Sequence, residues 1–125
     1  MLGISVVCEA INPLDMPDFL INSADQLAGL LDEVDHPNCR GQLDFYHMAR
    51  QQLDLPACIA RLGTRIGHVQ FADCPGRGAP GTGELAFAGA LAALQAQGYQ
   101  GWLAAEYRPG EEGFGWLQAW REGRF

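Results

Sequence analysis

Four polar residues stand at the ends of short apolar runs: Glu9 in VVCEAINP, Asp44 in GQLDFYH, Gln70 in IGHVQFAD and Glu106 in WLAAEYRP. They lie 35, 26 and 36 residues apart in order. These intervals bracket the repeat of about 31 residues expected when eight βα units share a barrel of about 250 residues. A chain with this period lays parallel strands side by side and carries every strand tip to the same end. The fold class expected is α/β, with four consecutive βα units amounting to half of an eight-unit barrel. At 125 residues the chain is long enough for one domain, residues 1–125.

The runs between the tips agree with that period. Gly3 to Ile11 is rich in Ile, Val and Cys, which suits a strand buried on both faces. A loop with two prolines, INPLDMP, leads to Ser23, a helix cap for SADQLAGLLDEV, where Leu27, Leu30, Leu31 and Val34 share a face. Gln42 to Tyr46 reads as the second strand. Asp54 opens a helix around Leu55 to Leu62, and Arg65 to Asp73 reads as the third strand. CPGRGAPGTGE is a loop that lacks both GxxxxGK[ST] and GxGxxG, so its glycines argue for chain folding over a strand tip more than for a phosphate cradle. A helix from about Leu85 to Gln97 follows, with Phe87, Leu91 and Leu94 as its stripe and Gly98 as its C-cap. Gly101 to Tyr107 is the fourth strand, and a last helix lies around Phe114 to Trp120.

Side chains alternate along a strand, so the four polar tips share a face with Val7, Gln42, His68 and Ala104. They are expected to line the barrel interior at its C-terminal mouth. Three carboxylates and one amide supply hard oxygen donors, which favour Mg²⁺ or Mn²⁺ over zinc or copper. Glu9, Asp44, Gln70 and Glu106 are therefore the expected metal ligands. An isolated acidic residue at a strand end is more often a turn residue or a helix cap, yet four successive tips of this kind argue for a shared cation. Without one, the converging carboxylates would repel and some would take up protons.

Together EAINP, LDFYH, GHVQFAD, PGRGAPGTGE and EYRP resemble the C-terminal half of the hydroxypyruvate isomerase family. That family also holds the 2-oxo-tetronate isomerases and lies within the xylose-isomerase-like barrels. The likeness covers nearly the whole chain, with the five motifs in order. It implies that Glu, Asp, Gln and Glu at the matching positions bind a divalent metal and that Glu9 and Glu106 also serve as proton donor and acceptor. The implied activity is interconversion of hydroxypyruvate and tartronate semialdehyde, or of a related small 2-oxo and 3-oxo acid, through an enediolate. Such a C–H is a weaker acid than a carboxylic acid by on the order of ten pKa units, about 14 kcal/mol, which no carboxylate closes unaided.

His47, just beyond the second tip, can contact a substrate oxygen or assist the metal, and the family motif carries a His there. His68 reads as a partner of the ligands or a core histidine. Arg77 and Arg108 are candidates to hold a substrate carboxylate, because a guanidinium grips one with two parallel hydrogen bonds. Gly78 departs from the family, in which a histidine often follows the matching arginine. Two other readings are kept: a ketose 3-epimerase of the same superfamily, favoured by uncharged polyol contacts, and an inactive half-barrel that self-associates.

A net charge of −7 with only 8 Lys and Arg offers no basic stripe, so nucleic acid is not an expected partner. Cys8, Cys39, Cys58 and Cys74 form no CxxC pair and read as reduced thiols. Neither a leader nor an apolar run of about 18 residues is read, so no membrane partner is expected and the expected location is cytoplasmic. A half-barrel leaves two unpaired strand edges. Closure by a second copy, giving a homo-oligomer, or by a complementing N-terminal half is therefore expected.

Overall fold

The computed structural model describes residues 3–124. Strand β1 spans Val6–Glu9, β2 Cys39–Asp44, β3 Ile66–Phe71 and β4 Leu103–Ala105. They pair in chain order, β1-β2-β3-β4, and every pairing is parallel. Parallel neighbours need a crossover, and helices α1 (Ala24–Val34), α3 (Leu55–Leu62) and α4 (Phe87–Ala96) supply it. This is the expected run of four βα units. Two further helices, α2 (Phe45–Ala49) and α5 (Trp116–Arg121), follow the tips of β2 and β4.

Local chemistry sets the helix starts. Ser23 accepts a hydrogen bond from the Gln26 N–H and Asp54 one from the Ala57 N–H, each a cap worth about 1 kcal/mol. α4 ends as Gly98 turns the chain with φ +74°, a left-handed conformation that glycine adopts without strain. Leu27 and Leu31 from α1, Ile59 and Leu62 from α3, and Phe87, Ala90 and Leu94 from α4 pack with Leu43, Val69 and Phe71 of the sheet. All of these are buried. Trp116 and Trp120 of α5 cover the outer end of that core, Trp120 stacking on Phe71 at a centroid distance of 4.8 Å.

The structure differs from the sequence expectations in three places. Strand β2 stops at Asp44, and Phe45 to Ala49 is helical where Gln42 to Tyr46 was expected to be strand. The apolar run LDFY satisfies either period, and the Asp44 side chain decides by capping the turn through the Tyr46 N–H at 2.8 Å. Second, β1 is not buried on both faces: Val6 is 59% exposed and Val7 40%. Among the described residues β1 pairs only with β2, and the inward face meets no opposing strands. Third, Val34 is exposed, and Ala24, Leu27, Ala28 and Leu31 form the buried face of α1.

Between β2 and β3 the register slips, Gly41 pairing with Ile66 and Gln42 with His68, so that Gly67 is an extra residue in β3. A Cβ at Gly67 would lie 2.8 Å from the Arg40 Cβ, too close for any side chain. Ile59 is fully buried in α3, which packs against both α1 and α4, so Ile59→Ala is expected to lower stability by about 2–5 kcal/mol, read as a shift in the denaturant midpoint at unchanged slope.

Candidate active site

The pairing register decides how high each polar tip stands. Glu9 lies opposite Gln42, Asp44 opposite Gln70, and Gln70 opposite Ala104. Glu106 follows β4 and continues its ladder, its N–H donating to the Phe71 carbonyl at 2.9 Å. The four tips thus climb from β1 to β4, as strands tilted in a barrel do.

Asp44 divides its two oxygens between structure and site. Oδ1 caps α2, while Oδ2 is buried and accepts no hydrogen bond. Glu9 Oε1 is likewise buried without a donor. His47, carried inward by the first turn of α2, places Nε2 3.9 Å from Glu9 Oε1 and 4.0 Å from Asp44 Oδ2. One donor atom from each of these residues lies within 4.8 Å of the others. Two buried carboxylate oxygens without donors are a costly arrangement that a cation would relieve, so the Glu9 and Asp44 pair fits a metal ion.

Electrostatics describes the same conflict. Burial pushes the Glu9 carboxyl up to about 7, with Asp44 and Glu106 adding repulsion and Arg77 and Gln42 opposing it. Asp44 is pushed up to about 6, again chiefly by burial, against the pull of the Tyr46 N–H and Arg77. His47 is held below its ordinary value by burial first and Arg77 second.

The other expected residues take separate positions. Gln70 Oε1 accepts from Gln42 Nε2 at 2.6 Å, and Gln42, level with Glu9 across the β1–β2 pairing, pulls the Glu9 carboxyl down. Glu106 stands outside the tight group, its side chain 54% exposed and its Oε2 3.7 Å from Arg77 Nη2. Arg77 also lies over the Tyr46 ring, 5.0 Å from its centre. Arg108 is exposed and joins the site through its backbone, its N–H donating to the Arg77 carbonyl at 2.8 Å. His68 is half-buried, level with Gln42.

Sequence reasoning missed three residues that hold the site. Gln42, expected only to share a face, pairs in register with Glu9 and donates to Gln70. Asn12, fully buried, donates to His47 Nδ1 from its side chain at 2.8 Å and lies 3.4 Å from it with its backbone nitrogen. Asp73, also buried, accepts from the N–H groups of Cys74, Gly81 and Leu85 and so ties down both ends of the glycine-rich loop. That anchoring explains Gly83, where a Cβ would lie 2.7 Å from Asp73 Oδ1 and overlap the Cys74 carbonyl. It also holds Arg77 at φ +58°, a left-handed conformation that needs outside support. An acidic residue directly before a glycine-rich segment is the signal that could have revealed Asp73.

With fold and site in place, the comparisons with known proteins become informative. Residues 2–124 match the xylose isomerase-like TIM barrel family, and the chain belongs to it. The chain is 36% identical to the hydroxypyruvate isomerase of Escherichia coli over 94% of its own length and 47% of that protein's. It is also 36% identical to the 2-oxo-tetronate isomerase of Pectobacterium atrosepticum, over 96% of this chain and 47% of the other. Among solved structures, a family 2 AP endonuclease from Brucella melitensis superposes with a TM-score of 0.86 at 36% identity, over 94% of this chain and 47% of the other. A 3-keto-D-glucoside 4-epimerase from E. coli superposes with a TM-score of 0.79 at 30% identity, over 98% and 44%. The chain spans about half the length of the curated relatives it matches. Among the described residues no helix is long and apolar enough to cross a membrane.

The raised carboxyls make a pH dependence that can be measured. Ordinary values are about 4.3 for Glu and 3.9 for Asp, so between about pH 4 and 7 the folded chain holds protons that the unfolded chain has lost. Without metal, stability is therefore expected to fall as pH rises through the values of Glu9 and Asp44. A divalent cation binds the deprotonated pair, so the gain in Tm on adding Mn²⁺ should grow from about pH 5 to pH 8. In Asp44→Asn, which keeps the cap and removes the charge, that gain should largely vanish.

Proposed function

We propose that the chain forms the metal-binding half of an isomerase for small oxo acids, interconverting hydroxypyruvate and tartronate semialdehyde or a closely related pair. The observation that carries this reading is the pair of buried, donor-free oxygens on Glu9 and Asp44 beside the guanidinium of Arg77. The isomerase names of two relatives at 36% identity support it.

Glu9, Asp44, Gln70 and Glu106 would hold Mg²⁺ or Mn²⁺, in keeping with their hard oxygen donors. When bound, such a cation acts as a Lewis acid that offsets negative charge developing on the substrate oxygens. The chain's own groups supply the rest. One of Glu9 and Glu106 takes a proton from C3 of hydroxypyruvate, and the other returns a proton to C2. Hydroxyl and carbonyl oxygens exchange roles through the enediolate. The raised value of Glu9 suits a group that exchanges protons near neutrality.

Arg77 would receive the substrate carboxylate; in support, its guanidinium lies 3.7 Å from the half-exposed Glu106 and pulls the Glu9 and Asp44 carboxyls down. His47 and Arg108 complete the proposed contacts, His47 to a substrate oxygen and Arg108 at the rim. A ketose epimerase would use similar proton logic, and the epimerase neighbour keeps that reading open. An arginine facing the carboxylates favours an acidic substrate over an uncharged polyol.

The barrel must be closed for turnover. Among the described residues β1 and β4 each have a single strand partner, and inward-facing Val7 is exposed. A second copy or four further βα units would supply that closure, and sedimentation of the 125 residues alone should show self-association. A stable monomer would remove the second-copy arrangement. In the closed barrel with Mn²⁺, Glu9→Gln and Glu106→Gln should each reduce kcat for hydroxypyruvate by roughly 10²–10⁴-fold. Undiminished turnover in either variant would overturn the proton-transfer assignment.

A further inference from the structure

We infer that Asn12 is a positioning residue that fixes His47 as its Nε2–H tautomer, so that His47 offers the site a hydrogen-bond donor for a substrate oxygen and not a lone pair for the metal. The inference deepens the proposed isomerase site and rests on that reading for its functional meaning. Its structural basis is separate.

The orientation of the Asn12 amide follows from a neighbour that can only donate. The backbone N–H of Asp15 donates to Asn12 Oδ1 at 2.9 Å. The oxygen of the amide therefore faces Asp15, and its nitrogen faces His47 Nδ1 at 2.8 Å. The backbone N–H of Asn12 points at the same ring nitrogen from 3.4 Å. Two donors converge on Nδ1, which must keep its lone pair.

A neutral imidazole carries one N–H, so the hydrogen stands on Nε2. A doubly protonated ring would turn a hydrogen against both Asn12 donors. Histidines that ligate a metal through one ring nitrogen generally donate from the other to a carboxylate, a carbonyl or water. Here that second-nitrogen contact is reversed. The three-residue group of Glu9, Asp44 and His47 consequently divides into two acceptors and one donor.

Nε2 is 3.9 Å from Glu9 Oε1 and 4.0 Å from Asp44 Oδ2, beyond hydrogen-bond length, so its hydrogen remains available to a third oxygen between the two residues. A substrate oxygen that gains negative charge during proton transfer is the group such a donor stabilises. The support behind Asn12 extends further. Asp15 accepts from the Tyr46 hydroxyl and pairs with Arg50, its Oδ1 lying 3.4 Å from Arg50 Nε. The loop bearing Asn12 and the helix bearing His47 are thus fastened at two points.

Nitrogen NMR of the full labelled chain, without metal at neutral pH, reads the tautomer directly through the two-bond couplings of the imidazole ring. His47 is told from the other two histidines by the loss of its signals in His47→Gln. The parent should show an unprotonated Nδ1 and a protonated Nε2, and adding Zn²⁺ should leave that pattern in place. Asn12→Asp replaces the amide donor with an acceptor, so the pattern should reverse, and Zn²⁺ should then move Nε2 with affinity raised on the order of 10–100-fold.

A protonated Nδ1 in the parent, or an Nε2 that binds zinc there, overturns the assignment even if the variant does not fold. Loss of isomerase turnover would leave this spectrum unchanged, so failure of the wider functional reading is distinguishable from failure of this one.

Discussion

Parallel pairing is the constraint from which the site follows. Because β1, β2, β3 and β4 all run the same way, each crossover returns the chain to the far end before the next strand starts. Every C-terminal tip then faces one mouth, and polar residues at four tips share a small volume without contact along the sequence. The cost is electrostatic. Glu9 and Asp44 enter with oxygens that no donor reaches, and burial lifts both carboxyls well above their ordinary values. A fold stabilised by Leu, Ile and Phe behind the sheet carries this strain at its mouth.

The surroundings of the mouth are arranged to contain that strain. Arg77 supplies the opposing cation from a loop that could not hold it unaided, since its left-handed backbone depends on the Asp73 anchor and on the Arg108 contact. Gln42, level with Glu9, donates to Gln70, while Asn12 orients His47 from outside the sheet. Each supporting residue sits one step behind a residue that faces the mouth. Their common effect is to restrict side chains to one geometry before anything binds, which is the condition for selective stabilisation of a transition state.

Much of this was legible in the chain. The period of apolar runs and the caps at Ser23 and Asp54 are local signals, and the structure bears out four βα units in one parallel sheet. The five motifs were enough to place the chain in its family. The second strand tip was harder to read, because LDFY is compatible with strand and helix and the competition is settled by one side-chain hydrogen bond from Asp44. β1 was expected to be buried on both faces because apolar content reports what a strand is suited to meet, not whether the opposing half of a barrel is present.

Which residues could act is written along the chain: polar tips at a barrel-like period, a histidine three residues past one of them, and arginines near two others. Its information is one-dimensional, and periodicity carries it well. What those residues do to one another is settled by how the segments pack. Strand register sets Glu9 level with Gln42, and a loop of Asn12 and Asp15 determines which nitrogen of His47 carries the proton. Those outcomes depend on distances between segments remote in the chain, and burial multiplies their electrostatic effect by removing the water that would otherwise screen it.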